Sequence, residues 1–355
     1  MKLAILTGGG DAPGLNAVIR SAVLSAVQRG WQCVGVQRGF PGLLGQEPLV
    51  PLGAQEVRGI THLGGTILGT TNRANPFAWR EQRPDGTWTE RDRSDELIAT
   101  FRAQALDALI VIGGDGSLAL AHRLSSKGIP LVGVPKTIDN DVGGTVATFG
   151  FDTAVATATD AIDKVHSTAE SHQRVMVVEV MGRNAGFIAL HAGIAGGADV
   201  ILIPEIPFDL VRVEEKIRER ERRGRHFSIV VVAEGARPRG GTEHYLDPEH
   251  RRLGGIGEQV ALAIEQRTGK ETRALVLGHL QRGGSPTTFD RVLALRFGAA
   301  AVRLVRDNRF DMMVAFQPPD IVAVPLAKAL AHPRRVDINS DTVATARDIG
   351  TSFGD

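Results

Sequence analysis

Short apolar runs that end in glycine and charge recur along this chain, and no other feature constrains its fold as much. The runs are Leu3–Leu6, Gln32–Val36, Ala108–Ile112, Leu131–Val134, Val175–Val180, Asp199–Ile203, Ile229–Ala233 and Ala274–Leu277. Most are continuous rather than alternating, as strands covered on both faces are, so parallel sheet is expected. Helical patterns lie between them: Gly14–Arg29, Ser117–Ser126, Thr153–Ser167, Ala185–Ala195, Val211–Arg222, Gly255–Arg267 and Arg291–Arg306. This alternation predicts an α/β fold of doubly wound, mostly parallel sheets with flanking helices.

In such sheets, ligands bind beyond the carboxyl ends of the strands. The residues following the runs are Gly8-Gly9-Gly10-Asp11, Gly113-Gly114-Asp115-Gly116-Ser117, Pro135–Asp141, Met181-Gly182-Arg183, Pro204-Glu205, Glu234-Gly235 and His279–Gly284. Surface loops carry glycine and charge by chance, but not repeatedly at one edge.

The length, 355 residues, suits about two domains of ordinary size. Lys plus Arg number 41 against 40 Asp plus Glu, a balance that argues against nucleic-acid binding or a polybasic membrane surface. No stretch approaches the roughly 18 apolar residues of a membrane span, and a cytoplasmic protein is expected. The single cysteine, Cys33, reads as a small core residue. Residues Phe77–Asp95 turn polar without apolar period and read as an exposed insertion or loop. Residues Asn339–Asp355 read as a frayed or surface tail.

Phosphate binding needs close backbone approach and unpaired N–H groups, which glycines between a strand and a helix supply. Gly8–Gly14 and Gly113–Ser117 both fit, and neither is a Walker A loop or a dinucleotide fingerprint. Each alone could be a tight turn. Asp115 adds information, because a carboxylate in a phosphate loop repels its ligand unless a cation such as Mg²⁺ bridges them. The alternative is that Asp115 caps a helix beginning at Ser117. Asp139 and Asp141 stand two residues apart just past a strand. They could divide the work of base and metal support in phosphoryl transfer, or form an Asx-rich turn. Arg174, Arg183, Arg273 and Arg282 lie at strand starts or ends, where guanidinium forks could hold phosphate. His279 stands beside Arg282 with no metal-ligand spacing around it.

At these residues the chain resembles the phosphofructokinase family, from Met1 to about Ala323. The resemblance is carried in order by Thr7–Asn16, Gly113–Ser117, Pro135–Asp141, Ser171–Arg174, Met181–Arg183, Ala195–Gly197 and Leu277–Pro286. It implies transfer of a phosphoryl group to the 1-hydroxyl of fructose 6-phosphate, with the active site between two α/β domains. Those domains would be a donor domain at 1–150, with about 288–330 packing back on it, and a sugar-phosphate domain at 151–287. A polar tail would follow at 336–355. By the same resemblance Asp139 is the base, and Thr137 contacts sugar and transferring phosphate. Arg183 and the Gly10 N–H stabilise the moving phosphoryl, Asp115 binds Mg²⁺ and Asp141 supports it. Met181, Gly182, Glu234, His279 and Arg282 contact the sugar phosphate. Gly114, Gly116 and Ser117 form the nucleotide loop, and Arg73 contacts phosphate. Arg174 and Arg273 match arginines that come from a neighbouring subunit, which implies a homodimer or homotetramer.

The family divides between ATP and pyrophosphate users. Gly116 leaves room for the nucleotide where an aspartate would intrude and repel, so it favours ATP. Lys136, by contrast, is the residue that pyrophosphate users carry before Thr137. Because the veto by aspartate is missing, ATP with Mg²⁺ is the expected donor, as in a bacterial subgroup with this mixed pattern. Arg20, Glu205, Arg223 and Arg225 match part of the family's ADP and phosphoenolpyruvate effector site. Leu24, Ala54, His166 and Phe227 fall where well-regulated members have basic side chains, which implies weak or altered control. Two further readings are a lipid or dinucleotide kinase, which the Thr137–Asp141 and Met181–Arg183 motifs oppose, and a non-catalytic sensor, which the presence of Asp139 opposes.

Overall fold

The structure, a computed structural model, describes residues 1–247 and 252–355. The chain forms two compact units. The first comprises Met1–Thr137, Val142–Gly150 and Arg282–Pro333; the second comprises Ile138–Asp141, Phe151–Gln281 and Arg334–Asp355. The chain thus passes from one unit to the other at 137/138, 141/142, 150/151, 281/282 and 333/334. A division at 150 and 287 therefore differs from the one observed. The four residues that carry Asp139 and Asp141 belong to the second unit, and the later boundary falls before Arg282.

The first unit is built on a seven-stranded sheet in the order Asp320–Pro325, Met312–Gln317, Leu131–Pro135, Ala108–Gly113, Lys2–Thr7, Gln32–Val36, Leu49–Leu52. The inner pairings are parallel and both edge pairings are antiparallel. Continuous apolar runs make this sheet because both of its faces are covered. Leu3, Ile5, Ile110 and Ile112 enter a core completed by helices Leu15–Val27 and Thr288–Arg306. Ala4, Leu6, Leu109 and Val111 enter a second core with helices Ser94–Ala103 and Asp115–Ser126. Each fully buried Leu, Ile or Val contributes about 1.5–3 kcal/mol relative to exposure.

The second unit has a four-stranded, all-parallel sheet in the order Thr272–Val276, Val175–Val180, Ser228–Ala233, Val200–Leu202. Val175, Val177, Val230 and Val232 pack against Val213 and Ile217 of helix Leu210–Arg222 and Val260 and Ile264 of helix Ile256–Thr268. Helices Phe151–His172 and Phe187–Ala195 pack on the same strands.

Three local expectations are corrected. The polar stretch after Phe77, expected as an exposed insertion or loop, is exposed but ordered as an antiparallel hairpin, Trp79–Gln82 with Trp88–Arg91. Most of its residues are at least partly exposed on both faces, so no apolar period marks it. Residues 339–355 are not a frayed tail: they form helix Asp341–Asp348, bury Val343, Ala346 and Phe353, and pair Ser352 with Val200 at a sheet edge. Finally, the helix after Gly114 begins at Asp115, with Gly114 rather than the Asp115 side chain at its N-cap. Cys33 is buried, and burial raises its thiol to about 11, so it is a core residue. Among the described residues, no helix is long and apolar enough to cross a membrane.

Candidate functional site

In the first unit, two glycine turns follow neighbouring parallel strands, Lys2–Thr7 and Ala108–Gly113. The Gly8 N–H donates to the Ile112 carbonyl at 2.9 Å, which locks the two strand ends together. The Ser117 side chain lies against both turns. A Cβ on Gly113 would sit 2.4 Å from the Ser117 Cβ, and one on Gly8 would sit 2.7 Å from its Oγ. Only glycine lets this serine approach so closely. The Lys136 ammonium donates to the Gly10 carbonyl, and its own N–H donates to Gly113 at 2.9 Å. Arg282 donates to the Asp11 carbonyl at 3.0 Å. Both turns are thus gathered around cationic groups.

Asp115 and Gly116 are exposed in the first turn of helix Asp115–Ser126. The N-terminal end of a helix favours anions. A Cβ at Gly116 would meet nothing within 4 Å, so the space beside it is open. Thr137 is buried, and its carbonyl accepts the Thr148 hydroxyl at 2.8 Å. Arg73 is exposed, on a loop where its N–H donates to the Thr71 hydroxyl.

In the second unit, Asp139 and Asn140 are buried, 3% and 4% exposed, and Asn140 takes a left-handed backbone, φ 55°. Arg183, also left-handed at φ 51°, follows strand Val175–Val180. Its N–H donates to the Glu234 carboxylate at 3.0 Å. Gly235 is required beside it, because a Cβ there would lie 2.0 Å from the Arg183 carbonyl oxygen. Burial raises the Glu234 carboxyl to about 7; the Arg183 N–H opposes this, and the charges of Asp139 and Glu179 reinforce it. A cavity of about 440 Å³ opens beside Arg183, lined also by Arg237, Glu243, Tyr245 and Arg335. Met181 is half-buried and His279 is exposed.

The raised Glu234 value has a consequence for stability. The fold holds this proton more tightly than the unfolded chain does. The resulting stability is complete below the ordinary value of 4.5 and is lost as pH rises through about 7. Glu234→Gln removes that dependence. Its Tm relative to the unaltered protein should therefore climb between pH 5 and 8; a difference that stays flat across that range would contradict the burial argument.

Arg174 and Arg273 both pair with Glu271, at 2.7 and 2.5 Å. Arg273 sits on the edge strand Thr272–Val276, where Arg273, Ala274 and Val276 are exposed. Three of the four residues matched to an effector site have partners within the chain. Arg20 donates to the Val57 carbonyl at 2.7 Å, Glu205 accepts the N–H groups of Gly186 and Val336, and Arg223 pairs with Glu219.

Among the described residues, no group of three or more His, Cys, Asp or Glu could by itself hold a metal. That fits a cation such as Mg²⁺, which takes one or two carboxylates and completes its shell with phosphate and water. The exposed Asp115 could supply one such carboxylate. One residue that sequence reasoning passed over is Arg334. Its N–H donates to the Asp141 carbonyl at 2.7 Å and its guanidinium to the Asn140 carbonyl at 3.3 Å. It lies between the segment expected to pack back on the first domain and the expected tail, and no motif marks it.

The Phosphofructokinase family profile matches residues 2–305. An ATP-dependent 6-phosphofructokinase of Chloroflexus aurantiacus is 53% identical over 354 residues, covering 100% of this chain and 98% of that one. A pyrophosphate–fructose 6-phosphate 1-phosphotransferase of Amycolatopsis methanolica is 51% identical over 342 residues, covering 95% and 96%. Among solved structures, Pichia pastoris phosphofructokinase in the T-state aligns with a TM-score of 0.81 and 32% identity over 98% of this chain, which spans 36% of the Pichia chain.

Proposed function

The chain belongs to the phosphofructokinase family, and on that premise we infer that it is an ATP-dependent 6-phosphofructokinase. It transfers the γ-phosphoryl of ATP to the 1-hydroxyl of fructose 6-phosphate and releases fructose 1,6-bisphosphate and ADP. The observation that carries the residue roles is geometric: Asp139 is buried, and the Arg183 N–H donates to Glu234 at 3.0 Å in the same unit. Glu234, whose carboxyl burial raises to about 7, can carry a proton at a sugar hydroxyl, and the buried Asp139 takes the role of base.

In this reading Asp139 accepts the proton of the 1-hydroxyl as its oxygen attacks the γ-phosphorus. The bond from that phosphorus to the β–γ bridging oxygen breaks. Arg183 and the Gly10 N–H receive the charge that develops on the phosphoryl oxygens. Thr137 orients sugar and phosphate. Met181, Gly182, Glu234, His279 and Arg282 hold the acceptor; Arg73, Gly114, Gly116 and Ser117 hold the donor. Asp115, supported by Asp141, would hold Mg²⁺, which when bound shields the phosphate charges. Self-association as a homodimer or homotetramer is part of the proposal. Arg174 and Arg273 would then leave Glu271 to reach a partner's acceptor site, and the exposed edge strand beside them supports this. The proposed location is the cytoplasm.

Lys136 and the Amycolatopsis relative favour a second reading, with pyrophosphate as donor. A difference of two points in identity does not choose between donors; the reading of ATP rests on Gly116, beside which the space is open. Steady-state assays of purified protein with fructose 6-phosphate, Mg²⁺ and either donor test this. The expected result is turnover with ATP at least about tenfold above that with pyrophosphate, or about 1.4 kcal/mol in barrier. Turnover with pyrophosphate and none with ATP would end the ATP reading.

A further inference from the structure

We propose that Arg334 is a positioning residue for the segment Ile138–Asp141, and hence for the base that segment carries; the catalytic part of this inference rests on the assignment of Asp139 above. Arg334 meets the segment twice. Its backbone N–H donates to the Asp141 carbonyl at 2.7 Å, and its Nη1 donates to the Asn140 carbonyl at 3.3 Å. The two carbonyls lie one and two residues beyond Asp139. Asn140 in this segment occupies the left-handed region, φ 55°, which residues other than glycine adopt less readily, and the two hydrogen bonds to the carbonyls at and beyond it hold that turn.

Arg334 is itself held firmly. Its guanidinium lies 5.0 Å over the Phe187 ring at the start of helix Phe187–Ala195. Burial lowers its pKa, and the nearby charge of Asp141 opposes that lowering. Two residues on, the Val336 N–H donates to Glu205 at 2.9 Å, and the same carboxylate accepts the Gly186 N–H at 3.0 Å. The chain beyond Pro333 is therefore tied to the turn before that helix while Arg334 reaches the Asp139 segment. A guanidinium suits this role, since it stays charged, stacks flat on an aromatic ring and directs its N–H groups in a fixed fork. A displacement of about 1 Å in a reacting group can cost about 10²-fold in rate.

The test uses the full chain with Arg334→Gln, and with Arg347→Gln as a control that loosens the same C-terminal segment elsewhere. Arg347 pairs with Asp355 and stacks on Phe353. Arg334→Gln is expected to lower kcat about tenfold or more, to leave KM for fructose 6-phosphate and ATP within about twofold, and to move the acid limb of the kcat–pH profile. Arg347→Gln is expected to keep kcat even if its Tm falls. Amide hydrogen exchange in peptides covering 138–141, measured without substrates, should be faster in Arg334→Gln only. A kcat within about twofold of the unaltered protein, an equal kcat loss in Arg347→Gln, or unchanged exchange would each overturn the proposal. Exchange that quickens in a protein with no phosphofructokinase activity would instead leave the positioning standing and refute the functional assignment beneath it.

Discussion

Asp139→Ser should still bind fructose 6-phosphate while its kcat falls by about 10²-fold or more. The expected split follows from where the carboxylate sits. Asp139 is 3% exposed, in a segment whose backbone is held from outside by Arg334. The backbone therefore keeps its course when the side chain is shortened, and the other acceptor contacts are untouched. What disappears is the group proposed to take the proton from the attacking hydroxyl. Glu234 is the nearest alternative by its electrostatic coupling, but burial leaves it partly protonated at neutral pH. Asp139→Asn, which keeps size and polarity, should lose kcat to a similar extent. Steady-state kinetics with direct binding by calorimetry checks both variants. A kcat reduced by less than about tenfold would remove Asp139 from the role of base. If fructose 6-phosphate binding were lost along with turnover, the residue would instead be one that holds the sugar.

Gly116→Asp should lower kcat/KM for ATP by about 10²-fold without harming the fold. The structural cost of the substitution is small. A Cβ at this position meets nothing within 4 Å, and the backbone is ordinary first-turn helix. Aspartate is a better helix residue than glycine there, and a carboxylate near the helix N-terminus is stabilising. The open space that makes the variant tolerable is where the donor is proposed to lie. A second carboxylate next to Asp115 would then face the donor's phosphates, and like charges placed together cost several kcal/mol, about tenfold in affinity for each 1.4 kcal/mol. Tm from thermal unfolding should be equal or higher, while KM for ATP rises. An unchanged KM for ATP would refute the steric and electrostatic argument for donor choice.

Most parallel strands of both sheets could be read from the sequence because burial on two faces leaves continuous apolar runs. Leu3–Leu6 and Val175–Val180 are examples, and the observed strands differ from the expected ones by a residue or two at most. The antiparallel strands and the inner strand Met312–Gln317 were not legible in the same way. Leu49–Leu52 is half exposed, and the Trp79–Arg91 hairpin has no apolar face. Met312–Gln317 and Asp320–Pro325 form a tight hairpin around Pro318-Pro319, and two prolines obscure a strand signal. The tail misled for a different reason. Its buried residues, Val343, Ala346, Thr351 and Phe353, are few and widely spaced among polar ones. Residues of the candidate site stood out where they follow strands, because glycine and charge are conspicuous at those places. Arg334 did not, since its role runs through two backbone carbonyls, and a carbonyl has no sequence signature.

The five crossings between the units limit how this protein can be taken apart. Neither unit is a continuous stretch of polypeptide, so no pair of gene fragments cut at one linker can encode them separately. A fragment ending at residue 150 would lack the strand Met312–Gln317 and the helix Thr288–Arg306, which complete its sheet and core. Nor can a single proteolytic nick free either half, because severing one connection leaves the others in place. Exchange of a whole unit with a relative would require several junctions to be matched at once, one of them immediately before Asp139. Substitutions within loops are thus the practical way to vary this enzyme's chemistry.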